Sequence, residues 1–169
     1  MVRAFFLVFV LAAALVGFPG GAGAQAVAGA AVENKDLIDR LVRSVNRERA
    51  LNGARPVVLE RRLTLAAQRH SDDMAQRNYF AHQSPDGRGM SERVIAAGYP
   101  WRVMAENLSA GVATPESTVA AWMTSPQHRQ NMLGDEYIHI GVGYTVGGAG
   151  EIKPDYAHYW TIVLGAPSR

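Results

Sequence analysis

Cysteine is absent from all 169 residues, so no disulfide framework can hold this chain and its stability rests on packing alone. Charge of one sign is not in excess either. The 17 basic residues, one of them Arg3, face 15 acidic ones, a balance that gives nucleic acid no electrostatic footprint despite the high isoelectric point. No apolar run reaches the roughly 20 residues that a membrane-spanning helix needs. Several catalytic signatures are missing: there is no G-x-S-x-G, no H-E-x-x-H, no P-loop and no dinucleotide fingerprint. The length fits one domain with a sizeable core.

The first 24 residues place Arg3 before an apolar stretch from Ala4 to Val16, then a Gly/Pro break and Ala22-Gly23-Ala24. This is the order of a cleavable secretory signal, with an apolar core too short for an anchor. The sequence therefore predicts residues 1–24 as a signal peptide, 25–33 as a short linker and 34–169 as the folded domain. The product is expected to be secreted or periplasmic and a monomer. With no cysteine near the cleavage site to take a lipid, it should carry no stable membrane anchor after processing.

Leu37, Ile38, Leu41, Val42 and Val45 recur at helical spacing, with Asn34 as a cap and Asn52-Gly53 as the stop. A second helix is predicted from about Arg62 to Asn78, where Leu63, Ala66, Ala67, His70 and Met74 share a stripe. Ser91 to Ala97 reads as a short helix closed by Gly98, and Thr114-Pro115-Glu116 as a helix start. Ser125-Pro126-Gln127-His128 repeats that signal at once, so a new helix leaves at an angle and runs to Leu133-Gly134.

Tyr137 to Val146 alternates as a strand, with Ile138, Ile140, Val142 and Tyr144 on one face and His139, Gly141 and Gly143 on the other. The bare glycine face implies a close-packed neighbour. Tyr156 to Leu164 is apolar on both faces, as in a sheet covered by helices on each side. The glycine-rich segment 147–150 makes the hairpin between these two strands, and a third strand is expected around Met104 to Ser109. Leu41, Val45, Ala67, Met74, Trp122, Ile140 and Ile162 form the expected core.

Three segments exceed an ordinary core pattern: 78–82 (NYFAH), 105–107 (AEN) and 122–133 (WMTSPQHRQNML). With 139–144 (HIGVGY) and 159–161 (YWT), their order and spacing resemble the CAP superfamily of cysteine-rich secretory proteins, antigen 5 and pathogenesis-related 1, in its cysteine-free bacterial branch. The resemblance runs from Leu37 to Gly165. It implies an α+β fold, an α-β-α or SCP-domain sandwich whose small, mainly antiparallel central sheet is covered by helices on both faces.

It also implies a central cleft in which two His and two acidic residues can bind a divalent cation such as zinc or magnesium. His82 and Glu106 match two of these positions. A second Glu would fall where Ser125 stands, and the second His where Tyr159 stands. His158 is one residue off, which in a strand means the opposite face. His128, third in its helix, could point into the cleft instead, with the helix N-terminus disfavouring its protonated form.

Glu106 sits between apolar Met104 and Leu108 on an expected strand, where a carboxylate needs a partner. His82 and Glu106 are therefore the candidate catalytic pair and an incomplete metal set, expected to touch directly or through one water or ion. His128, Tyr159 and Ser125 complete the expected cleft. His70 reads as a core histidine, His139 and His158 as surface or packing residues, and Asn107, Arg129 and Asn131 as structural hydrogen-bonders. The expected function is a binding or interaction module for an extracytoplasmic ligand, protein or lipid, and not nucleic acid. A metal-assisted hydrolase of peptide or cell-envelope material, with Glu106 as base, is one alternative, and lipid or sterol binding is another.

Overall fold

Two glycines on one strand set the spacing between the layers of this fold. The computed structural model describes residues 21–147 and 156–168, so the predicted signal segment up to residue 20 and the turn at 148–150 lie outside the described residues. The elements run α1 Gly21–Leu51, β1 Val58–Leu59, α2 Arg61–Arg77, α3 Met90–Ala96, β2 Trp101–Ala110, α4 Pro115–Thr124, α5 Pro126–Leu133, β3 His139–Val146 and β4 His158–Pro167. The strands lie in the order β1-β3-β4-β2. β4 is antiparallel to both β3 and β2, while β1 is parallel to β3. This is the expected α+β sandwich.

On one face, Ile140 and Val142 of β3 and Trp160, Ile162 and Leu164 of β4 pack with Leu41 and Val45 of α1, Val119 and Trp122 of α4, and Met132 of α5. On the other face lies α2. A β-carbon added to Gly141 would stand 2.1 Å from the Leu63 carbonyl carbon, and one on Gly143 would stand 2.4 Å from that of Ala67. The bare glycine face thus admits a helix at backbone contact. All seven residues expected in the core are buried.

Local chemistry explains the ends of the helices. The Glu60 carboxylate accepts the backbone N–H groups of Arg62 and Leu63 at the start of α2, and Asn78 closes it in the left-handed conformation at φ 52°. Thr114 Oγ1 accepts the Ser117 N–H ahead of Pro115, opening α4. At Ser125 the chain turns extended and Pro126 begins α5.

Arg49 near the end of α1 is fully buried, and its guanidinium donates to the carbonyls of Arg55, Met132, Gly134 and Tyr137. Burial pulls its pKa down from the usual arginine value. This one side chain ties α1 to the end of α5 and to the entry of β3.

Four details differ from expectation. Asn34 does not cap α1, because the helix runs back to Gly21 and takes in residues 25–33 as helical backbone. β2 begins at Trp101, three positions early, and β4 continues to Pro167, because the two strands pair over that length. Ile138 precedes β3 and is exposed. β1, two residues long, was too short to leave a periodic signal. No helix among the described residues is long and apolar enough to cross a membrane.

Candidate functional site

The left-handed Asn78 turns the chain out of α2, and Tyr79 anchors the segment leading to His82, its hydroxyl donating to Asp73 on α2 and lying 3.0 Å from Ser84 Oγ. Burial first, and Asp73 second, push the Tyr79 pKa up to about 12, so the hydroxyl stays a donor. A tight turn at Ser84 to Arg88, with Gly87 at φ 86°, brings the chain back toward α3. Between these fixed points the segment presents His82 to β2.

β2 is an edge strand, and its even-numbered residues face α2, as Leu108 shows by packing on Met74 and Tyr159. Glu106 shares that face. His82 Nδ1 donates to Glu106 Oε1 at 2.8 Å, so the 23 intervening residues bring the pair into direct contact. The Glu106 side chain is 3% exposed, that of His82 59%. His82 Nε2 has no hydrogen-bond partner among the described residues.

A third residue, which nothing in the sequence singles out, completes the group. Arg93 on α3 donates from Nη2 to Glu106 Oε2 at 2.8 Å and from both terminal nitrogens to the His82 carbonyl at 3.1 Å. Nη1 also reaches the Arg88 carbonyl at 3.2 Å. A buried carboxylate is costly unless both oxygens find donors, and here each has one. The Met90–Ala96 sequence does not distinguish this arginine from a solvent-facing one. The signal was on the other side, in a Glu on an apolar strand that required a cation.

The remaining candidates divide. The pKa of His128 is lowered first by burial and then by the nearby charge of His82. Ser125 stands at the α4–α5 junction and makes no side-chain cap. Tyr159 is buried against Met74 and Leu108. It lies four residues along β4 from Val163, the cross-strand partner of Glu106, or about 13 Å of strand. His158 points to the opposite face, where its Nδ1 pairs with the Tyr144 hydroxyl. His139 pairs in the same way with Tyr99.

His70 is fully buried, with Nε2 donating to the Ala81 carbonyl and Nδ1 without a hydrogen-bond partner among the described residues. The expected structural residues tie elements together. Asn131 donates to the Glu106 carbonyl and to Asn107 Oδ1, Asn107 Nδ2 donates to the His128 carbonyl, and Arg129 reaches Asn52. Edge strand β2 is thereby fastened to α5.

A family profile described as the cysteine-rich secretory protein family, CAP, matches residues 42–164. The chain belongs to the CAP family. It is 37% identical over 110 residues to the uncharacterized protein YkwD of Bacillus subtilis, covering 65% of this chain and 43% of that one. It is 31% identical over 74 residues to the uncharacterized membrane protein YlbC of the same organism, covering 44% and 21%. The chain spans less than half the length of either relative.

Solved CAP-like folds include an extracellular protein containing an SCP domain from Bacillus anthracis, with a TM-score of 0.68 at 21% identity over 78% of this chain and 40% of that one. Another is an outer surface protein of Borrelia burgdorferi, with a TM-score of 0.70 at 16% identity over 79% and 95%. At these identities the likeness is one of fold.

The divalent cation that CAP resemblance implies does not fit the residues present. Both oxygens of Glu106 are taken, one of them by a guanidinium, and among the described residues no three His, Asp or Glu side chains gather as a ligand set. Ser125 and Tyr159 do not supply the missing donors, since one is a hydroxyl at a helix junction and the other a phenol in a core cluster.

Proposed function

We propose that this CAP domain is an exported binding module that engages an extracytoplasmic ligand through the exposed imidazole of His82. The observation that carries this reading is the anchoring of His82 to buried Glu106, which leaves a fixed ring with one free nitrogen at the surface. A pre-oriented polar group is what recognition uses, because little freedom is lost when the ligand arrives. No serine or threonine hydroxyl bonds to His82 among the described residues, so no side-chain nucleophile stands beside the base-and-orienter pair.

The cavity beside Arg93 does not favour a lipid. It measures about 260 Å³ and is lined by Arg69, Asp72, Asp73 and Arg88 as well as Arg93, whereas a lipid site needs an apolar lining. Export is supported by the extracellular and outer-surface descriptions of the structural neighbours, together with the signal-like first 24 residues. Intact mass of material recovered outside the cytoplasm should correspond to a chain beginning at Gln25, and a full-length membrane-retained species would contradict export.

The binding reading is tested by titrating the purified protein with soluble peptidoglycan fragments and with casein peptides while following the His82 ring signals by NMR. A saturable shift without new products, lost in His82→Ala, is expected. Product release abolished by His82→Ala or Glu106→Gln would replace the binding module with a hydrolase, and no shift with either probe would contradict the reading.

A further inference from the structure

We infer that Arg93 occupies the place of a divalent cation in this cleft, so that the chain supplies its own counter-charge to Glu106 and the His82–Glu106 pair works without a metal. The inference holds whether the cleft binds its ligand or cleaves it, and so does not depend on the proposed binding role.

Each oxygen of Glu106 already has a charged or polar donor at 2.8 Å, His82 Nδ1 on Oε1 and Arg93 Nη2 on Oε2. The arginine cannot easily give way. Its side chain is only 8% exposed, and the remaining N–H groups of its two terminal nitrogens are spent on the carbonyls of His82 and Arg88. A metal ion at Glu106 would have to expel a buried guanidinium from four hydrogen bonds or sit beside it as a like charge in a medium that screens poorly.

The same bonds show what Arg93 does besides neutralise. By holding the His82 carbonyl it fixes the backbone that carries the ring, and by holding Glu106 Oε2 it turns Oε1 toward Nδ1. Arg93 is thus a positioning and selectivity residue, acting on the ligand only through His82. A guanidinium suits this task because its planar fork meets a carboxylate and carbonyls at once.

The test is zinc titration by calorimetry, with thermal denaturation in parallel, on the wild-type protein and on Arg93→Gln, Arg93→Lys and Glu106→Gln. Wild type and Arg93→Lys are expected to show no zinc binding that depends on Glu106. Arg93→Gln removes the built-in cation and leaves His82 and Glu106 as two ligands, so it should gain weak zinc binding, at least about tenfold tighter than wild type. That gain should vanish in the double variant Arg93→Gln/Glu106→Gln.

If Arg93→Gln folds poorly, zinc should raise its melting temperature, since a ligand that binds only the folded state stabilises it. Wild-type zinc binding that Glu106→Gln abolishes would overturn the inference. So would an Arg93→Gln protein whose affinity for zinc, or melting temperature in zinc, is unchanged from that of the wild type.

Discussion

Gly141 of β3 and Leu63 of α2 meet backbone to backbone, leaving no room between them for even a methyl group. The neighbour is main chain, not a flexible side-chain end, so it cannot step aside without moving the helix. Gly141→Ala should therefore destabilise by about 1 to 3 kcal/mol or more, and Gly143→Ala against Ala67 by a similar amount. Urea denaturation checks this, and a change of a few tenths would show that α2 does not lie on the glycines.

Trp122 is buried between α4 and the sheet, and its indole N–H donates to the Leu108 carbonyl at 2.9 Å. Trp122→Ala should cost about 3 to 5 kcal/mol. Trp122→Phe should cost less, since it keeps most of the volume and loses chiefly the hydrogen bond. Equal losses for the two variants would contradict this division.

Arg49 makes a different kind of core contact. Arg49→Met leaves four carbonyls without their donor and should cost at least about 3 kcal/mol. Arg49→Lys should recover only part of that, because an ammonium lacks the planar fork that reaches several carbonyls. Denaturation midpoints of the two variants measure it, and full recovery by lysine would show that charge alone matters.

Two histidines make stability depend on pH. Burial, opposed in part by Glu106, lowers the pKa of His70, and burial followed by the charge of His82 lowers that of His128. Both stay neutral in the fold while the unfolded chain takes up protons near the ordinary value of 6.5. The unfolded state then binds more protons, so stability falls as pH drops below that value, by up to about 1.4 kcal/mol per pH unit for each group. His70→Gln should flatten the fall below about pH 6.5. An unchanged slope in that variant would show that His70 is not the source.

Much of the fold was legible because its signals were local. Thr114-Pro115 and Ser125-Pro126 name two helix starts, Gly98 follows a helix end, and Gly141 and Gly143 announce a close neighbour by lacking side chains. Glu106 was legible for a related reason, as a charge on an apolar strand must be met. What met it was not.

Arg93 and Arg49 sit on helices where an arginine ordinarily faces water, and partners outside those helices hold them in place. Asn34 looked like a cap, but capping depends on whether the preceding residues leave the helix, and here they remain in it. β1 pairs through two residues, a single repeat of strand alternation and too few to establish a pattern.

That buried Glu106 holds His82 with Nδ1 protonated and Nε2 turned outward is tested most directly by the nitrogen-15 long-range spectrum of the His82 ring at about pH 8, where a histidine is ordinarily neutral. The predicted result is a protonated Nδ1 and an unprotonated Nε2, giving way to a tautomer mixture in Glu106→Ala. A wild-type ring carrying its proton on Nε2, or a tautomer indifferent to Glu106→Ala, would contradict it.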